Sequence, residues 1–321
     1  MNFLITGGAG FIGSNLAHAL IKRGDSVRIL DNFSTGRKAN IEPIMDKIEV
    51  VEGDIRDNWT VAESMKDIDY VLHHAAMPSV IKTVQNPLTA NAINITGMLN
   101  VLEAARHANV KRVVFACSSA IYGDSEILPK VETMKPEPMS PYAINKLTGE
   151  YYCQVYNQLY GLETVSLRYF NVFGPRQDPA SQYSAVIPLF IKAVLSGNSP
   201  TIFGDGEQSR DFIYIDNVVS ANLKACEAPL APGGCFNIGG GKRLTLNETL
   251  KIISDIVGKE IKANYVDSRP GDIRHSGADI SEAIDKLGFS VDYSFKDGLK
   301  ETVNWFSNIF LSNTPVGGIK I

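Results

Sequence analysis

The sequence predicts an α/β protein built on a doubly wound parallel sheet, followed by a smaller C-terminal α/β lobe. Three observations carry this. Short apolar runs alternate with helical stretches through the first half of the chain. A glycine-rich turn joins the first such run to the first helix. Beyond about Asn171 the alternation loosens and the strand and helix signals lose their regular order.

Taken in order, residues 2–6 (NFLIT) read as a buried strand, 11–23 as a helix and Ser26–Leu30 as the second strand. Ile48–Glu52, Tyr70–His74, Arg112–Ala116 and Thr164–Tyr169 are further apolar runs of strand length, separated by helical stretches. After Asn171 come a Pro/Gln/Ser-rich loop (Pro175 to Ser184) and a helix from about Ala185 to Ser196. A strand at Asp211–Ile215 precedes a helix from about Asn217 to Cys226, with Asp216 as its cap. Leu246–Val257 reads as an amphipathic helix, and Ile284–Leu287 and Lys296–Phe306 complete the second lobe. The expected division gives residues 1–170 to a first domain that also receives about 211–240. Residues 171–210 and 241–312 go to the smaller lobe, and 313–321, without periodic signal, to a mobile tail.

The 321 residues are 44% apolar and carry a formal net charge of −4. That supports a sizeable core and gives no broad basic field for nucleic acid or anionic membrane, so neither partner is expected. Any phosphate must be held by local features. Cys117, Cys153, Cys226 and Cys235 form no CxxC pair, and no His spacing resembles a zinc site. Reduced thiols and no metal are the expectation. The first strand begins at Asn2 or Phe3 with no signal peptide ahead of it, and no apolar run reaches transmembrane length, which predicts a cytoplasmic protein.

Gly7, Gly10 and Gly13 lie between the first strand and the first helix. In a Rossmann-type unit the first permits the tight turn, the second lets backbone approach a pyrophosphate, and the third lets the helix pack closely on the sheet. The helix N-terminus, at Phe11 and Ile12, then offers N–H groups and partial positive charge to phosphate. Asp31, at the end of the second strand, is placed to accept hydrogen bonds from adenosine ribose hydroxyls and to repel a 2′-phosphate. This favours NAD over NADP, with nearby Arg37 the one residue that argues the other way. Asp54 and Ile55 follow the third strand and border the adenine. His74, Ala75 and Ala76 end the fourth, where small residues allow close approach; His74 alone reads as a packed sheet-end histidine.

Tyr142 and Lys146 stand at i and i+4 on one helix face. A phenol titrates near 10, and a nearby ammonium together with a cationic nicotinamide is expected to lower that. Tyr142 then exchanges a hydroxyl proton as hydride moves. Ser118, just past a parallel strand, is placed to hydrogen-bond the reacting oxygen. A YxxxK pair alone is a common accident; its phase with the glycine motif and with Cys117-Ser118-Ser119 supports the catalytic reading.

With these residues in hand, the sequence resembles an extended short-chain dehydrogenase/reductase of the sugar-nucleotide epimerase/dehydratase group, from Met1 to about Phe306. The resemblance rests on GGAGFIG (7–13), DNFS (31–34), GDI (53–55), HHAA (73–76), SSAIYGD (118–124), YAINK (142–146), LRYFNVFGP (167–175), GDGEQSRDFIYIDN (204–217) and RPGDIRHSGADIS (269–281). It implies NAD in the first lobe and a UDP-sugar between lobes. It adds Asn32, Ser34, Asn94, Tyr169 and Phe170 on the cofactor side. On the substrate side it implies Ser79, Ser119, Asn171, Val186 and Ile187, with Phe203 on the uracil. Arg210 and Arg269 would neutralise the pyrophosphate, and Asp272 would hold a uridine ribose hydroxyl. Dehydratases of the group carry Asp-Glu after the Ser/Thr, and decarboxylating relatives a Glu two positions on. Here Ser119 and Ala120 follow Ser118, which leaves 4-epimerisation. Ser276, seven positions after Arg269, replaces a bulky Tyr that restricts the pocket to plain hexoses. The resemblance therefore implies UDP-GlcNAc/UDP-GalNAc, and UDP-Glc/UDP-Gal as well. The alternative is UDP-glucuronate, paired by Arg274 or Lys82, or the reaction of another NAD-dependent sugar-nucleotide oxidoreductase. Family members often dimerise, and the apolar-faced stretches Leu88–His107 and Tyr142–Tyr160 are the expected homodimer helices.

Overall fold

The computed structural model describes residues 1–178, 186–268 and 273–311. Arg269, Asp272, most of the Pro/Gln/Ser-rich loop and the 313–321 tail lie outside the described residues. The strands are β1 (Asn2–Thr6), β2 (Ser26–Asp31), β3 (Ile48–Glu52), β4 (Tyr70–His73), β5 (Arg112–Ser118), β6 (Glu163–Tyr169), β7 (Asn171–Phe173), β8 (Thr201–Phe203), β9 (Ser209–Tyr214), β10 (Cys235–Ile238), β11 (Arg243–Thr245) and β12 (Asn264–Val266). Seven of them form one sheet in the order β10-β6-β5-β4-β1-β2-β3, every pairing parallel. This is the Rossmann-like doubly wound sheet.

Alternation along the strands explains its two covered faces. Phe3, Ile5, Ile29, Leu72 and Val114 join one core, while Leu4, Leu30, Val71, Val113 and Phe115 join the other. Both sets are buried because a parallel sheet is roofed by its own crossover helices. Phe11–Arg23 and Ile215–Glu227 cover the first face. Asn58–Ser64, Gly97–His107 and Pro141–Tyr160 cover the second. The last of these begins cleanly: Ser140 Oγ accepts the Ala143 N–H at 3.2 Å, Pro141 occupies the first turn, and Gly161, at φ 68°, ends it.

The smaller lobe grows out of the sheet. Only Phe170 separates β6 from β7, which pairs in parallel with β9, and β9 pairs antiparallel with β11. β8 and β12 form a two-stranded ribbon. The chain leaves the large sheet after β6 and returns through Ile215–Glu227 and β10, and one apolar core runs through both parts.

Two expectations need correction. Leu88–His107 is not one α-helix: Pro87–Asn91 and Gly97–His107 are joined by a π-helical turn, Ala92–Thr96. Asp216 does not cap the following helix. β9 runs directly into it, with Tyr214 at the N-cap, and Asp216 lies in its first turn. The short strands β7, β8, β10, β11 and β12 were not anticipated, since three or four residues are too few for a period to show.

Candidate active site

Strand order reverses between β1 and its neighbours β2 and β4, so the carboxyl ends of β1 and β4 open a crevice at the switch point. The glycine turn and His74-Ala75-Ala76 meet there. Gly7 has φ +71°, and a Cβ on it would lie 2.7 Å from the Ala75 backbone N. A Cβ on Gly13 would collide with the Gly7 carbonyl oxygen. The helix that starts at Phe11 has Gly10 as N-cap, no side-chain cap and no acid in its first turn. Its leading N–H groups are thus left to an external anion, which is the donor set a dinucleotide pyrophosphate needs.

Asp31 ends β2 with its carboxylate buried. Oδ2 accepts the Ala9 N–H at 2.9 Å and Oδ1 the Phe33 N–H at 2.8 Å. Burial raises its pKa while those two amides pull it down. Asn32 and Ser34 are exposed on the following loop. Asn32 Nδ2 donates to Asp54 Oδ2 at 2.8 Å, and the forked Arg56 guanidinium holds the Asp54 carboxyl well below the usual range. Ile55 is buried against Gly97, so the sequence-assigned adenine border rests on a core side chain.

Ser118 ends β5 and Tyr142 and Lys146 face it from one helix. Lys146 Nζ donates to the Ala116 carbonyl at 2.6 Å and lies 5.9 Å from the Tyr142 ring centroid. The expected lowering of the phenol pKa is not a property of the protein alone. Burial pushes Tyr142 up to about 12, with hydrogen bonding to Ser118 opposing it, and burial brings Lys146 down to about 8. His74 stacks on Tyr169, with Nε2 3.1 Å from the phenol oxygen. Tyr169 spends its proton on Asn222 Oδ1 at 2.9 Å, so His74 is the donor and the neutral ring is held in the Nε2–H form. Burial lowers its pKa to about 3. Tyr169 and Phe170 are both buried in the core.

Asn94 sits in the π turn and is buried. Its Oδ1 accepts the Met77 N–H at 2.7 Å, and its Nδ2 donates to Met77 O and to Asn145 Oδ1, each at 3.3 Å. It therefore fixes the loop after β4 against the helix that carries Tyr142. Asn145 was not picked out from sequence, because it lies between two more telling residues. Nor was the buried pair of Glu150 and Arg168, at 2.6 Å.

The substrate-side residues gather on β9. Asn171 Nδ2 donates to the Asp211 carbonyl at 2.9 Å, Arg210 Nη1 to the Ser209 and Arg274 carbonyls at 3.1 and 3.3 Å, and the Ser276 N–H to the Ser209 carbonyl at 3.0 Å. Phe203 ends β8, half-buried, with its carbonyl bonded to Gln208 Nε2 at 2.6 Å. The Lys130 N–H donates to Gly277 O at 2.8 Å, tying this segment to the stretch that follows Ser118. Ser79 caps the short helix Val80–Gln85, and Ser119 opens a 3-10 turn. Val186 is half-buried, whereas Ile187 is in the core. Among the described residues no helix is long and apolar enough to cross a membrane.

A model of the NAD dependent epimerase/dehydratase family matches residues 3–239. A putative UDP-glucose 4-epimerase of Methanocaldococcus jannaschii is 42% identical over 307 residues, 95% of this chain and 98% of that one. The structure of UDP-N-acetylglucosamine 4-epimerase from Methanobrevibacter ruminantium, solved with UDP-N-acetylmuramic acid, superposes with a TM-score of 0.92. It is 45% identical over 96% of this chain and 98% of its own. UDP-glucose 4-epimerase of Thermus thermophilus, solved with NAD, gives a TM-score of 0.87 at 36% identity over 96% and 99%. The chain is a member of the NAD-dependent epimerase/dehydratase family, within the extended short-chain dehydrogenases/reductases.

Proposed function

We propose that this protein is a 4-epimerase of UDP-sugars that oxidises C4 transiently, with N-acetylated and plain hexoses as substrates. The observation that carries the reading is the meeting of Ser118, Tyr142 and Lys146 at the switch-point crevice with no acid in the turn Ser119–Tyr122. Dehydration or decarboxylation would need a further acid–base group there. Ser118 hydrogen-bonds the C4 oxygen and Tyr142 exchanges its proton, while Lys146 keeps positive charge beside the phenol. NAD, when bound, supplies the hydride acceptor and donor and the added charge that brings the phenol into a working range. The glycine turn holds its pyrophosphate, Asp31 its adenosine ribose, Asn32, Ser34, Asp54 and Ile55 the adenosine end, and His74, Ala75, Ala76, Asn94, Tyr169 and Phe170 the nicotinamide side.

The sugar nucleotide lies towards β9. Arg210 and Arg269 neutralise its diphosphate, Phe203 packs on the uracil, and Asp272 holds the uridine ribose. Asn171, Ser79, Ser119, Val186 and Ile187 line the remainder. Incubating the purified protein, without added NAD, with UDP-GlcNAc, UDP-glucose and UDP-glucuronate separately tests this. UDP-GalNAc and UDP-galactose are the expected products by chromatography, and failure to interconvert either acetylated or plain hexoses would refute the reading. Arg274 is already forked on Asp205, both bonds at 2.8 Å, so it is a poor partner for a uronate carboxylate.

Ser276 gives the pocket its room. Ser276→Tyr is expected to suppress turnover of acetylated sugars while sparing UDP-galactose, measured as the ratio of kcat/KM values. Equal loss of both would count against a pocket-size role.

A homodimer forms through Pro141–Tyr160, where Ile144, Tyr151, Val155 and Leu159 recur on one exposed face and Leu159 is 71% exposed. Leu159→Glu should convert a dimer into monomers by light scattering after gel filtration; an unchanged mass would place the interface elsewhere.

A further inference from the structure

Arg37 occupies a position at which a cation would welcome a phosphorylated adenosine ribose. Its N–H donates to the Ala9 carbonyl at 2.9 Å, inside the glycine turn. The preceding Gly36 is pressed on the acid that ends β2: a Cβ there would lie 2.7 Å from Asp31 Oδ2. The Arg37 backbone is thus fixed at the junction of the pyrophosphate turn and the ribose acid. A guanidinium at this junction suits a 2′-phosphate, because its fork matches phosphate oxygens.

The guanidinium is already occupied. Arg37 Nη2 is ion-paired with Asp178 Oδ2, and both side chains are partly sheltered, at 21% and 35% exposure. Asp178 reaches it from the stretch after β7. That stretch is anchored nearby, since Arg176 Nη2 donates to Asn15 Oδ1 at 2.8 Å and Asn15 Nδ2 donates to the Pro175 carbonyl at 3.1 Å. The next cation along, Lys38, pairs with Glu52 at 3.3 Å. Both cations that follow Asp31 are therefore matched by acids from other elements.

We infer that Asp178 is a specificity-determining residue for the cofactor: by neutralising Arg37 it denies a binding partner to the 2′-phosphate and confines the site to the unphosphorylated dinucleotide. The inference rests on the placement of the adenosine ribose at Asp31. Asp31 supplies repulsion of the 2′-phosphate, and Asp178 removes the attraction that would offset it. Specificity of this kind is a difference between two affinities, and it uses both devices.

Calorimetric titration of NAD and NADP into protein exchanged free of dinucleotide tests this without reference to turnover. Asp178→Asn should shift the affinity ratio towards NADP by about tenfold, the scale of one charge-assisted hydrogen bond. Adding Arg37→Ala to that variant should return the ratio to its starting value. An unchanged ratio in Asp178→Asn, including equal weakening of both ligands, overturns the inference and reduces the pair to a structural tie. So does a shift that persists when Arg37 is removed. Asp31→Asn is the separate control, with folding checked by thermal melting: if its ratio does not move, it is the ribose placement that fails, whatever Asp178→Asn does.

Discussion

Tyr142→Phe should lower kcat by about 10²- to 10⁴-fold, the usual worth of a positioned proton-transfer group, with little change in UDP-sugar affinity. The physical reason lies in the two pKa directions. In the protein alone the phenol is pushed up to about 12 and the neighbouring ammonium down to about 8, both by burial. The site therefore holds a neutral phenol beside a cation. Positive charge added beside the phenol favours phenolate. Removing the hydroxyl removes the proton carrier but leaves the ring, its packing and the Lys146–Ala116 hydrogen bond in place. Steady-state rates and substrate titration of the variant check this; near-parental turnover would remove Tyr142 from the mechanism.

Arg168→Met should cost about 3–5 kcal/mol of stability, because it strands the Glu150 carboxylate in the interior. The side chains of the pair are only 4% and 1% exposed. Arg168 donates to both Glu150 oxygens, at 2.9 and 2.6 Å, and to Tyr122 OH at 2.7 Å, and Tyr122 in turn donates to Asn237 Oδ1 at 2.7 Å. The network joins the helix of Tyr142 and Lys146 to β6, β10 and the turn after Ser118. Urea unfolding should show the loss. Replacing both partners, Glu150→Leu with Arg168→Met, should recover most of it, because the buried charge is then gone. A single variant as stable as the parent would mean that water reaches Glu150.

Much of the first lobe was legible because its signals are local. The strand NFLIT sends Leu4 to one core and Phe3 and Ile5 to the other, and each run from β1 to β5 repeats that pattern. The glycine turn is readable for the same reason: Gly7 and Gly13 are constrained by backbone a few residues away and by Ala75, itself in a recognisable motif. What stayed hidden depends on contacts between distant segments. The π turn around Asn94 disturbs no periodicity; it exists because the side chain is drawn to Met77 and Asn145. Asp178 and Arg168 carry no signal of their own, since an ion pair is visible only when both partners are in place. For Tyr142, sequence identifies the neighbouring charge but not the depth of burial, which pushes the phenol up in the protein alone. The three-residue strands of the second lobe owe their form to pairing partners, as Leu244 does to Arg210.

The claim that hydride leaves and returns to the same carbon has one direct test. Run in D₂O with UDP-GlcNAc or UDP-glucose, the reaction should give a 4-epimer with protium retained at C4, read by NMR of the purified product. Deuterium at C4 would mean that a proton was lost to solvent, and the account built on Tyr142, Lys146 and Ser118 would be wrong.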